Sequence, residues 1–579
     1  SKDEILIPKK TGWRRVLNVD LLEEEVQSIE QVRQGIRDIV TTASSMNSGI
    51  SVVGSPPGSG KSTISADTLR QTDLRVLYLV QRHDLFDDII QHLGATPIYG
   101  RSNKNCPEFE RIHKLGEKGW SIAQIVCGTC PSRQKCDYNR QFNKKSSWVA
   151  PVQYLDSKHI WDKSFDVLVV DEVSLQTFVR KQDINLEDIH YTIHLLSDLS
   201  ETNGLISLLS SLSRLVAGSR EGHLECLSGR DLLDSLHQEI NLSEILEEYN
   251  NNKLWKGHLE EKIHQAKTES LPANFLEKLL EILAFEDLLY HHGSPFNSRL
   301  LLRGKGLTLY HVRDLRNISI PAIVIDGTIN EVIAQNVFGN EVLIYNPTMK
   351  TEAELIQVVD AGYGKGSLMT DRSGTRDRLL QIVDKLSDGK TVSCSVKPFV
   401  KRFFKEDSFY YWAQRGTNEY SGYDRVVLVG GANPNPQELI WDVRALYYLD
   451  DYVSDAGGYS WVRHNYMEPR GGGIEVRRYV YEDERFQSWI DSLSSAEMVQ
   501  AIHRIRPMLD SNKQIYVLSN IPLIQLQPTR LLQLEELEAE LGINESNKVA
   551  IRNTVVEAVQ LRGRITRIEL LESCREKCS

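Results

Sequence analysis

One short stretch of the sequence, GSPPGSGKST at 54–63, constrains the fold more than any other. It follows a β-branched segment, GISVV at 49–53, and precedes a helical pattern that extends to residue 71. A glycine-rich loop between a strand and a helix lets backbone N–H groups point at phosphate oxygens, and the helix adds its positive N-terminal end. A second strand pattern, RVLYLV at 75–80, follows the helix. This order of elements predicts a parallel α/β domain that binds phosphate.

The loop contains the side chains that a nucleoside triphosphate and its magnesium ion require. Lys61 is expected to reach the β- and γ-phosphates, and the Ser62 hydroxyl to ligate Mg²⁺. The first glycine of the usual G-x-x-x-x-G-K-S/T spacing is replaced by Ser55, with Gly54 one residue earlier. We therefore predict an ATP-binding loop that consists of Ser55, Pro56, Pro57, Gly58, Ser59, Gly60, Lys61, Ser62 and Thr63.

A third apolar strand pattern, DVLVV at 166–170, is followed by two carboxylates. Alone, such a segment is more often an ordinary strand end, but a phosphate loop upstream favours a functional interpretation. Asp171 is then the residue that holds Mg²⁺ through its hydration shell. Glu172 is the candidate base that orients and activates the attacking water. The two segments together predict ATP hydrolysis.

Four of the eight cysteines lie close together in the sequence, with the spacing C-x20-C-x2-C-x5-C. Four thiolates can hold a [4Fe–4S] cluster or a tetrahedral zinc ion, and the spacing does not separate the two. The Cys-x-x-Cys core and the remoteness of the other cysteines argue against four unrelated thiols. The predicted metal ligands are Cys106, Cys127, Cys130 and Cys136.

The order of these blocks resembles the XPD/DinG-type iron–sulfur helicases of superfamily 2. The resemblance covers most of residues 50–520 as motif order, and it favours iron–sulfur over zinc at the four cysteines. It also implies that basic residues between Cys130 and Lys145 meet the junction of single-stranded and duplex DNA. The blocks that carry it are GKST at 60–63, VLYLVQRHDL at 76–85, the four cysteines, WVAPVQYL at 148–155, DEVS at 171–174 and a helical insertion.

A helix in the second half, MVQAIHRIRP at 498–507, is similar to the superfamily 2 helix that carries a glutamine and two arginines. By this resemblance Gln500, Arg504 and Arg506 act at the nucleotide, with the arginines reaching the γ-phosphate as an arginine finger. An amphipathic surface helix with ordinary arginines is the alternative.

The helix departs from the family pattern in two ways. His503 stands where a glycine is usual, and Arg506 is one residue closer than the usual second arginine and is followed by proline. The segment QLRGRITR at 560–567 fits the spacing better, but no strand pattern precedes it. We therefore retain the helix at 498–507.

Weaker signals fit the same resemblance. DGTIN at 326–330 is similar to the motif that couples hydrolysis to movement. Gly416, Thr417 and Asn418 are similar to the motif that touches DNA and nucleotide. Each block could equally be a plain turn. Aromatic residues that could stack on bases, or else pack in a core, are Tyr410, Tyr411, Trp412, Tyr459 and Trp461.

The length of 579 residues indicates about three or four domains. The predicted fold class is α/β, with two RecA-like parallel-sheet motor domains, a four-cysteine insertion and a helical arch-like insertion. The predicted parts are an N-terminal helical segment (1–48), motor domain 1 in three pieces (49–105, 147–174 and 298–350), the four-cysteine domain (106–146), the helical insertion (175–297), motor domain 2 (351–525) and a helical or winged-helix-like accessory region (526–579).

Composition narrows the possible environments and partners. The net charge of −11 argues against a protein that coats nucleic acid by bulk charge, but allows a motor with a local basic channel. No apolar run approaches the ~20 residues of a membrane span, and SKDEILIPKK has no apolar signal core. We expect a cytoplasmic protein without a membrane partner.

The sequence thus predicts an ATP-dependent superfamily 2 DNA helicase or translocase with ATP, Mg²⁺ and a [4Fe–4S] cluster as cofactors. The resemblance implies 5′-to-3′ movement on single-stranded DNA, binding at junctions, a monomeric motor and a possible replication or repair protein as partner. The alternative is a P-loop ATPase switch that binds nucleic acid or a protein without unwinding. A zinc scaffold with vestigial ATP motifs is a third hypothesis, against which Lys61, Ser62, Asp171 and Glu172 argue.

Overall fold

The structure is a computed structural model. The residues at 416–418 and the region beyond residue 543, including 560–567, lie outside its described residues. The described residues are 13–16, 27–81, 85–128, 130–156, 165–220, 226–265, 271–304, 306–313, 315–316, 318–327, 329–349, 351–371, 374–404, 407–412, 419–464 and 473–543.

The described strands belong to four sheets. They are β1 (Trp13–Val16), β2 (Ile50–Val53), β3 (Val76–Val80), β4 (Thr96–Pro97), β5 (Trp148–Pro151), β6 (Val167–Asp171), β7 (Val179–Asn185), β8 (Leu227–Ser228), β9 (Leu300–Arg303), β10 (Gly306–Val312), β11 (Ala322–Ile325), β12 (Leu343–Tyr345), β13 (Glu354–Val358), β14 (Thr391–Ser395), β15 (Ser408–Tyr410), β16 (Arg425–Val429), β17 (Gly457–His464), β18 (Gly473–Tyr481), β19 (Gln514–Leu518) and β20 (Arg530–Leu532).

The α-helices cover both parallel sheets and build the insertion. They are α1 (Ile29–Ser44), α2 (Lys61–Arg70), α3 (Phe86–Leu93), α4 (Phe109–Glu117), α5 (Asp137–Arg140), α6 (Leu175–Phe178), α7 (Leu186–Leu196), α8 (Asn203–Arg220), α9 (Gly229–Glu239), α10 (Leu242–Asn251), α11 (Leu254–Gln265), α12 (Leu276–His292), α13 (Glu331–Phe338), α14 (Lys365–Thr370), α15 (Thr375–Leu386), α16 (Lys397–Phe403), α17 (Pro436–Leu446), α18 (Glu484–His503) and α19 (Leu534–Glu540). Across the described part of the chain, no helix is both long and apolar enough for a membrane span.

Two parallel sheets form the frame of the molecule. The first has the strand order β12-β2-β11-β6-β3-β5-β4, and the second has the order β15-β14-β16-β19-β13-β20. Strands β2, β3, β6 and β11 are buried along their whole length. A strand that is buried on both faces must be continuously apolar, which is typical of a parallel sheet covered by helices. The predicted α/β fold class with two parallel-sheet halves is confirmed.

The first sheet has a separate core on each face. Val167 and Val169 of β6 point to one face, where α1 and α2 pack. Leu168 and Val170 point to the other face, whose core also contains Trp489 of α18. Helix α17 packs on β10 and α18 on α13, so two helices from the predicted second domain cover the first. The two halves of the chain are therefore interlocked.

Two segments differ from the prediction because their partners are distant in sequence. The predicted N-terminal helical segment (1–48) contains strand β1, which pairs antiparallel with β18, as well as helix α1. Strands β9 and β10, within the piece 298–350 that was predicted for the first motor domain, instead form an antiparallel sheet with β7 and β8. Gly306 permits this pairing, since a Cβ there would lie 2.1 Å from the Ile184 carbonyl oxygen. Apolar periodicity identifies a strand but does not identify its partner.

The insertion has its own core, which also receives the cysteine segment. Leu205, Leu208, Leu209 and Leu212 of α8 are fully buried and follow helical spacing. The same core contains Cys106, Ile112, Leu115 and Trp120 from the four-cysteine segment. The indole N–H of Trp120 donates to the Pro272 carbonyl oxygen at 2.7 Å. The cysteine segment is thus packed against the helical insertion.

Replacement of Asn297 by alanine is expected to destabilise the contact between the two halves. The fully buried Asn297 donates to the carbonyl oxygens of Tyr447 (2.7 Å) and Asp451 (2.9 Å) and accepts from the Val453 N–H (2.8 Å). Loss of these partners leaves buried backbone groups unpaired, which costs about 1–3 kcal/mol. Thermal unfolding should show a lower midpoint for Asn297→Ala. The exposed Asn336→Ala is the matched control, and an equal midpoint for the two variants would contradict the assignment.

Candidate active site

The phosphate loop joins β2 to α2 at the carboxyl edge of the first sheet. Gly58 and Gly60 have φ of +80° and +85°, a left-handed conformation that favours glycine. The buried Ser59 hydroxyl donates to the Pro56 carbonyl oxygen at 2.7 Å and lies 3.0 Å from the Ser55 hydroxyl. Ser55, the departure from the usual glycine, therefore ties the loop across its own turn.

Lys61 and Ser62 begin helix α2 directly after the loop. The Lys61 ammonium donates to the Ser55 carbonyl oxygen at 3.1 Å, so it lies over the loop. From α1, the Arg33 guanidinium donates to the Ser59 carbonyl oxygen at 3.3 Å. Two cations and the N-terminus of a helix thus converge on one loop, which is the arrangement that binds an anion.

Asp171 lies at the end of β6 and is almost completely buried. Its Oδ2 accepts a hydrogen bond from the Tyr78 hydroxyl at 2.8 Å, whereas its buried Oδ1 has no protein partner. Burial raises the pKa of the Asp171 carboxyl to about 6, while the hydroxyls of Ser62 and Tyr78 and the charge of Lys61 act in the opposite direction. A buried carboxylate oxygen without a partner, close to Ser62, fits a hydrated Mg²⁺ ion.

Glu172, the next residue, is exposed and has φ of +56°. Its N–H donates to the Ile325 carbonyl oxygen at 2.9 Å, which holds this strained backbone at the sheet edge. A residue other than glycine in this conformation costs roughly 1–3 kcal/mol, and such strain is frequent at functional sites. Asp171 and Glu172 therefore lie at one edge of the sheet with the phosphate loop.

The end of α18 meets the phosphate loop from the second half. A Cβ added at Gly58 would lie 3.0 Å from Nδ1 of His503, so this histidine is in close contact with the loop. Arg504 follows it as the C-cap of α18, while Gln500 is half-buried within the helix. Arg506 lies on the next turn, exposed and with φ of +55°. His503 therefore brings the end of α18 into contact with the loop.

His503 occupies the position where the family pattern has glycine, and it is held neutral. Desolvation lowers its pKa to about 3, with further lowering by the positive charges of Lys61 and Arg504. Its Nε2 is buried and has no hydrogen-bond partner. The substitution thus brings an uncharged imidazole to the phosphate loop beside two cations.

Gln525 forms a contact between the two halves that the sequence did not predict. Its side-chain amide donates to the carbonyl oxygens of Gly54 and Gly327, the latter at 2.7 Å, and to Oδ1 of Asn346 at 3.2 Å. Gly54 begins the phosphate loop, and Gly327 follows β11 in the segment similar to the coupling motif. One buried amide of the second half therefore joins two loops of the first. A single glutamine in an irregular segment has no recognisable pattern.

The four cysteines lie in two environments. Cys106 and Cys136 are buried, and Cys127 and Cys130 are half-buried. All four belong to the described residues, and no three of their sulfur atoms lie within 4.8 Å of one another. Thiolates around a zinc ion at 2.3 Å are about 3.8 Å apart. Arg101 donates to the Cys127 sulfur at 3.4 Å and would support a charged thiolate there.

A groove follows the carboxyl edge of the second sheet. It lies between the β17–β18 hairpin and the loops after β13, β16 and β19. The hairpin register pairs Tyr459 with Tyr479 and Trp461 with Arg477 on one face. Tyr459 is 70% exposed and Tyr479 is 46% exposed, so these rings are available to a ligand.

The other aromatic candidates differ among themselves. Tyr411 is buried, and its hydroxyl donates to the Gly430 carbonyl oxygen at 2.8 Å, so it is a core residue. Tyr410 is half-buried under the Lys397 ammonium. Trp412 is 43% exposed, with its backbone N–H bonded to Glu497 at 2.6 Å. Of the five aromatic candidates, Tyr459 and Trp461 line the hairpin face.

No family model and no curated protein matches this chain. Its structure is similar to a solved structure described as an XPD helicase, with a TM-score of 0.48 and 16% identity over 89% of this chain and 98% of that one. It is also similar to Xpd4 of S. tokodaii, with a TM-score of 0.46 and 13% identity over 89% and 98% of the two chains. A truncated XPD gives a TM-score of 0.32 and 16% identity over 55% and 98%.

The neutral state of His503 predicts a pH dependence of stability. Its pKa is about 3 in the folded chain and about 6.5 in the unfolded chain, so between these values the unfolded chain binds more protons. The contribution of His503 to stability is therefore intact above pH 6.5 and falls by up to about 2 kcal/mol on acidification to pH 5. His503→Gln should show a smaller drop of the thermal midpoint between about pH 7.5 and 5 than the unmodified chain. The exposed His292→Gln is the matched control, and equal drops in all three proteins would contradict the prediction.

Proposed function

We propose that this chain is an ATP-hydrolysing motor that moves along single-stranded DNA and separates duplex DNA, as a superfamily 2 helicase does. The observation that carries the proposal is the contact of His503, at the end of α18, with Gly58 of the phosphate loop. A nucleotide in that loop would touch both halves of the chain. Its hydrolysis can then change how the halves sit against each other, which is the basis of a motor.

The residues at the loop support a division of roles in hydrolysis. Lys61 would bind the β- and γ-phosphates, and Ser62 and Asp171 would hold Mg²⁺, which neutralises phosphate charge when bound. Glu172 would orient and deprotonate the attacking water. Arg504 would stabilise the charge that develops on the transferred phosphoryl group.

Two further residues of the helix motif at 498–507 have weaker structural support. Gln500 is half-buried on α18, and Arg506 is exposed on the turn that follows. Both would have to approach the nucleotide when the halves close. We therefore assign Arg504 the leading role among the predicted arginines, and retain Gln500 and Arg506 as secondary candidates.

The Gln525 amide supports a route from hydrolysis to movement. It bonds the loop that would hold the phosphates, at Gly54, and the loop after β11, at Gly327. A shift of the phosphate loop on nucleotide release would therefore act on the second half through one side chain. Coupling of this kind requires that the contact has two arrangements and that nucleotide binding favours one of them.

The groove beside the β17–β18 hairpin supports a site for single-stranded DNA. Tyr459, Trp461 and Tyr479 offer aromatic faces on which bases of any sequence can stack, and Arg477 offers a cation for phosphate. The groove lies outside the carboxyl ends of parallel strands, where ligands of α/β sheets bind. The 5′-to-3′ direction and the binding of junctions rest on the family resemblance.

We propose a [4Fe–4S] cluster on Cys106, Cys127, Cys130 and Cys136. The proposal rests on the C-x20-C-x2-C-x5-C spacing and on the motif order, since four thiolates at such a spacing can hold this cluster. When bound, the cluster would cross-link the polar cysteine segment. The packing of Cys106 into the core of the insertion would let this cross-link brace the insertion as well.

Replacement of Glu172 by glutamine is expected to lower ATP turnover by about 100-fold or more, because a general base contributes that much. Nucleotide affinity should change little, since Glu172 does not belong to the phosphate loop. Turnover and binding of a fluorescent ATP analogue would be measured with and without single-stranded DNA. Glu341→Gln, at an exposed position, is the matched control. A Glu172→Gln variant with full turnover would refute the assigned role.

Replacement of Tyr459 by alanine is expected to weaken binding of single-stranded DNA about 5- to 150-fold, since stacking on one base contributes about 1–3 kcal/mol. Fluorescence anisotropy with an oligothymidine would measure this loss. Tyr452→Ala removes another exposed tyrosine, outside the groove, and should bind as the unmodified chain does. Equal affinities would exclude the hairpin as the DNA site.

A tailed-duplex assay separates the two functions. Strand separation that requires ATP supports the helicase. ATP turnover stimulated by single-stranded DNA without strand separation would instead support a nucleic-acid-dependent ATPase switch.

A further inference from the structure

Three potential metal ligands meet in the helical insertion, far in sequence from the phosphate loop and the four cysteines. His237 belongs to α9, and Asp287 and His291 lie one helical turn apart on α12. Nε2 of His237 is 2.7 Å and Nε2 of His291 is 3.7 Å from Oδ1 of Asp287. One ligand atom of each residue lies within 4.8 Å of the other two, and within the described ranges no other group of this kind occurs.

These separations are close to those of a metal site. Histidine nitrogen and carboxylate oxygen bind zinc at about 2.0–2.2 Å, which places neighbouring ligand atoms roughly 3–3.5 Å apart. The 2.7 and 3.7 Å separations bracket this range, so small side-chain rotations would suffice. Two histidines and one carboxylate are a donor set of zinc and of non-haem iron sites.

The surroundings hold the ligands in place. The Ser243 hydroxyl of α10 donates to Oδ2 of Asp287 at 2.8 Å, which leaves Oδ1 directed at the imidazoles. The ring of His237 stacks on Tyr290 at 4.9 Å, and the Tyr290 hydroxyl donates to Asp234 at 2.6 Å. Hydrogen bonds to ligand carboxylates and fixed ring orientation are the usual outer support of a metal site.

The site opens to solvent on one side. Asp287 is 9% exposed at its side chain, whereas His291 is 60% exposed. The carboxylate of Asp287 accepts from Nε2 of His237 at 2.7 Å, whereas Nε2 of His291 lies 3.7 Å from the same oxygen and 3.4 Å from the Ser243 hydroxyl. A metal ion bound between the three residues would bring both imidazoles to the same carboxylate oxygen.

We infer that His237, Asp287 and His291 bind one divalent transition-metal ion, with zinc matched best by this nitrogen and oxygen donor set. The open side would be filled by water. The ion would link α9 to α12 and, through Ser243, engage α10, and would thus stabilise the helical insertion. The inference is independent of ATP hydrolysis and of the four-cysteine centre.

The test compares zinc bound per chain by the full-length protein and by two histidine variants after treatment with a chelator and dialysis against excess zinc. His291→Ala is expected to bind one zinc ion fewer than the unmodified chain. His292→Ala, an exposed histidine one position along the same helix, should bind the same number as the unmodified chain. Circular dichroism of His291→Ala checks that the helices are retained, as the exposure of His291 leads us to expect.

Cobalt(II) separates this site from the cysteines, because thiolate-bound cobalt has a sulfur-to-metal charge-transfer band that nitrogen and oxygen sites lack. The cobalt lost in His291→Ala should leave that band unchanged. Zinc should also raise the thermal midpoint of the unmodified chain more than that of His291→Ala. Equal metal content in the unmodified chain and His291→Ala, or the same loss in His292→Ala, would overturn the inference.

Discussion

The contact of the second half with the phosphate loop is the constraint on which the rest of the structure depends. His503 touches Gly58, and the Gln525 amide bonds the carbonyl oxygens of Gly54 and Gly327. These contacts bring helix α18 and the segment after β19 to the carboxyl edge of the first sheet. Because backbone carbonyls accept from the same amide, neither half can shift without breaking a buried hydrogen bond.

The interlocked cores would limit the motions that the proposed nucleotide cycle could produce. Helix α18 contributes Trp489 to a core of the first sheet and Ile502 to the core that both halves share. A helix of this length transmits displacement from one end to the other as a rigid element. Motion between the halves would therefore require these shared cores to repack.

Local patterns predicted the interior strands well and the edges poorly. Strands β2, β3 and β6 lie where the sequence predicted them, because a strand that is buried on both faces has a continuous apolar signal. The sequence did not predict strand β1 or the sheet to which β9 and β10 belong, because the strands that pair with them lie far along the chain. In the site, Lys61 and Asp171 carried a recognisable pattern, whereas Tyr78 and Gln525 act through single hydrogen bonds that have no periodicity.

The sequence by itself determined the phosphate loop, the carboxylates that end β6, the clustered cysteines and the parallel α/β class. Each of these features consists of residues that are close together in the sequence, so that spacing and periodicity predict their local geometry. Only the tertiary structure decided that His503 faces the loop, that Gln525 joins the halves, and that His237 of α9 meets Asp287 and His291 of α12. Such contacts arise from the packing of whole helices and sheets, and long-range packing is not encoded in any short segment.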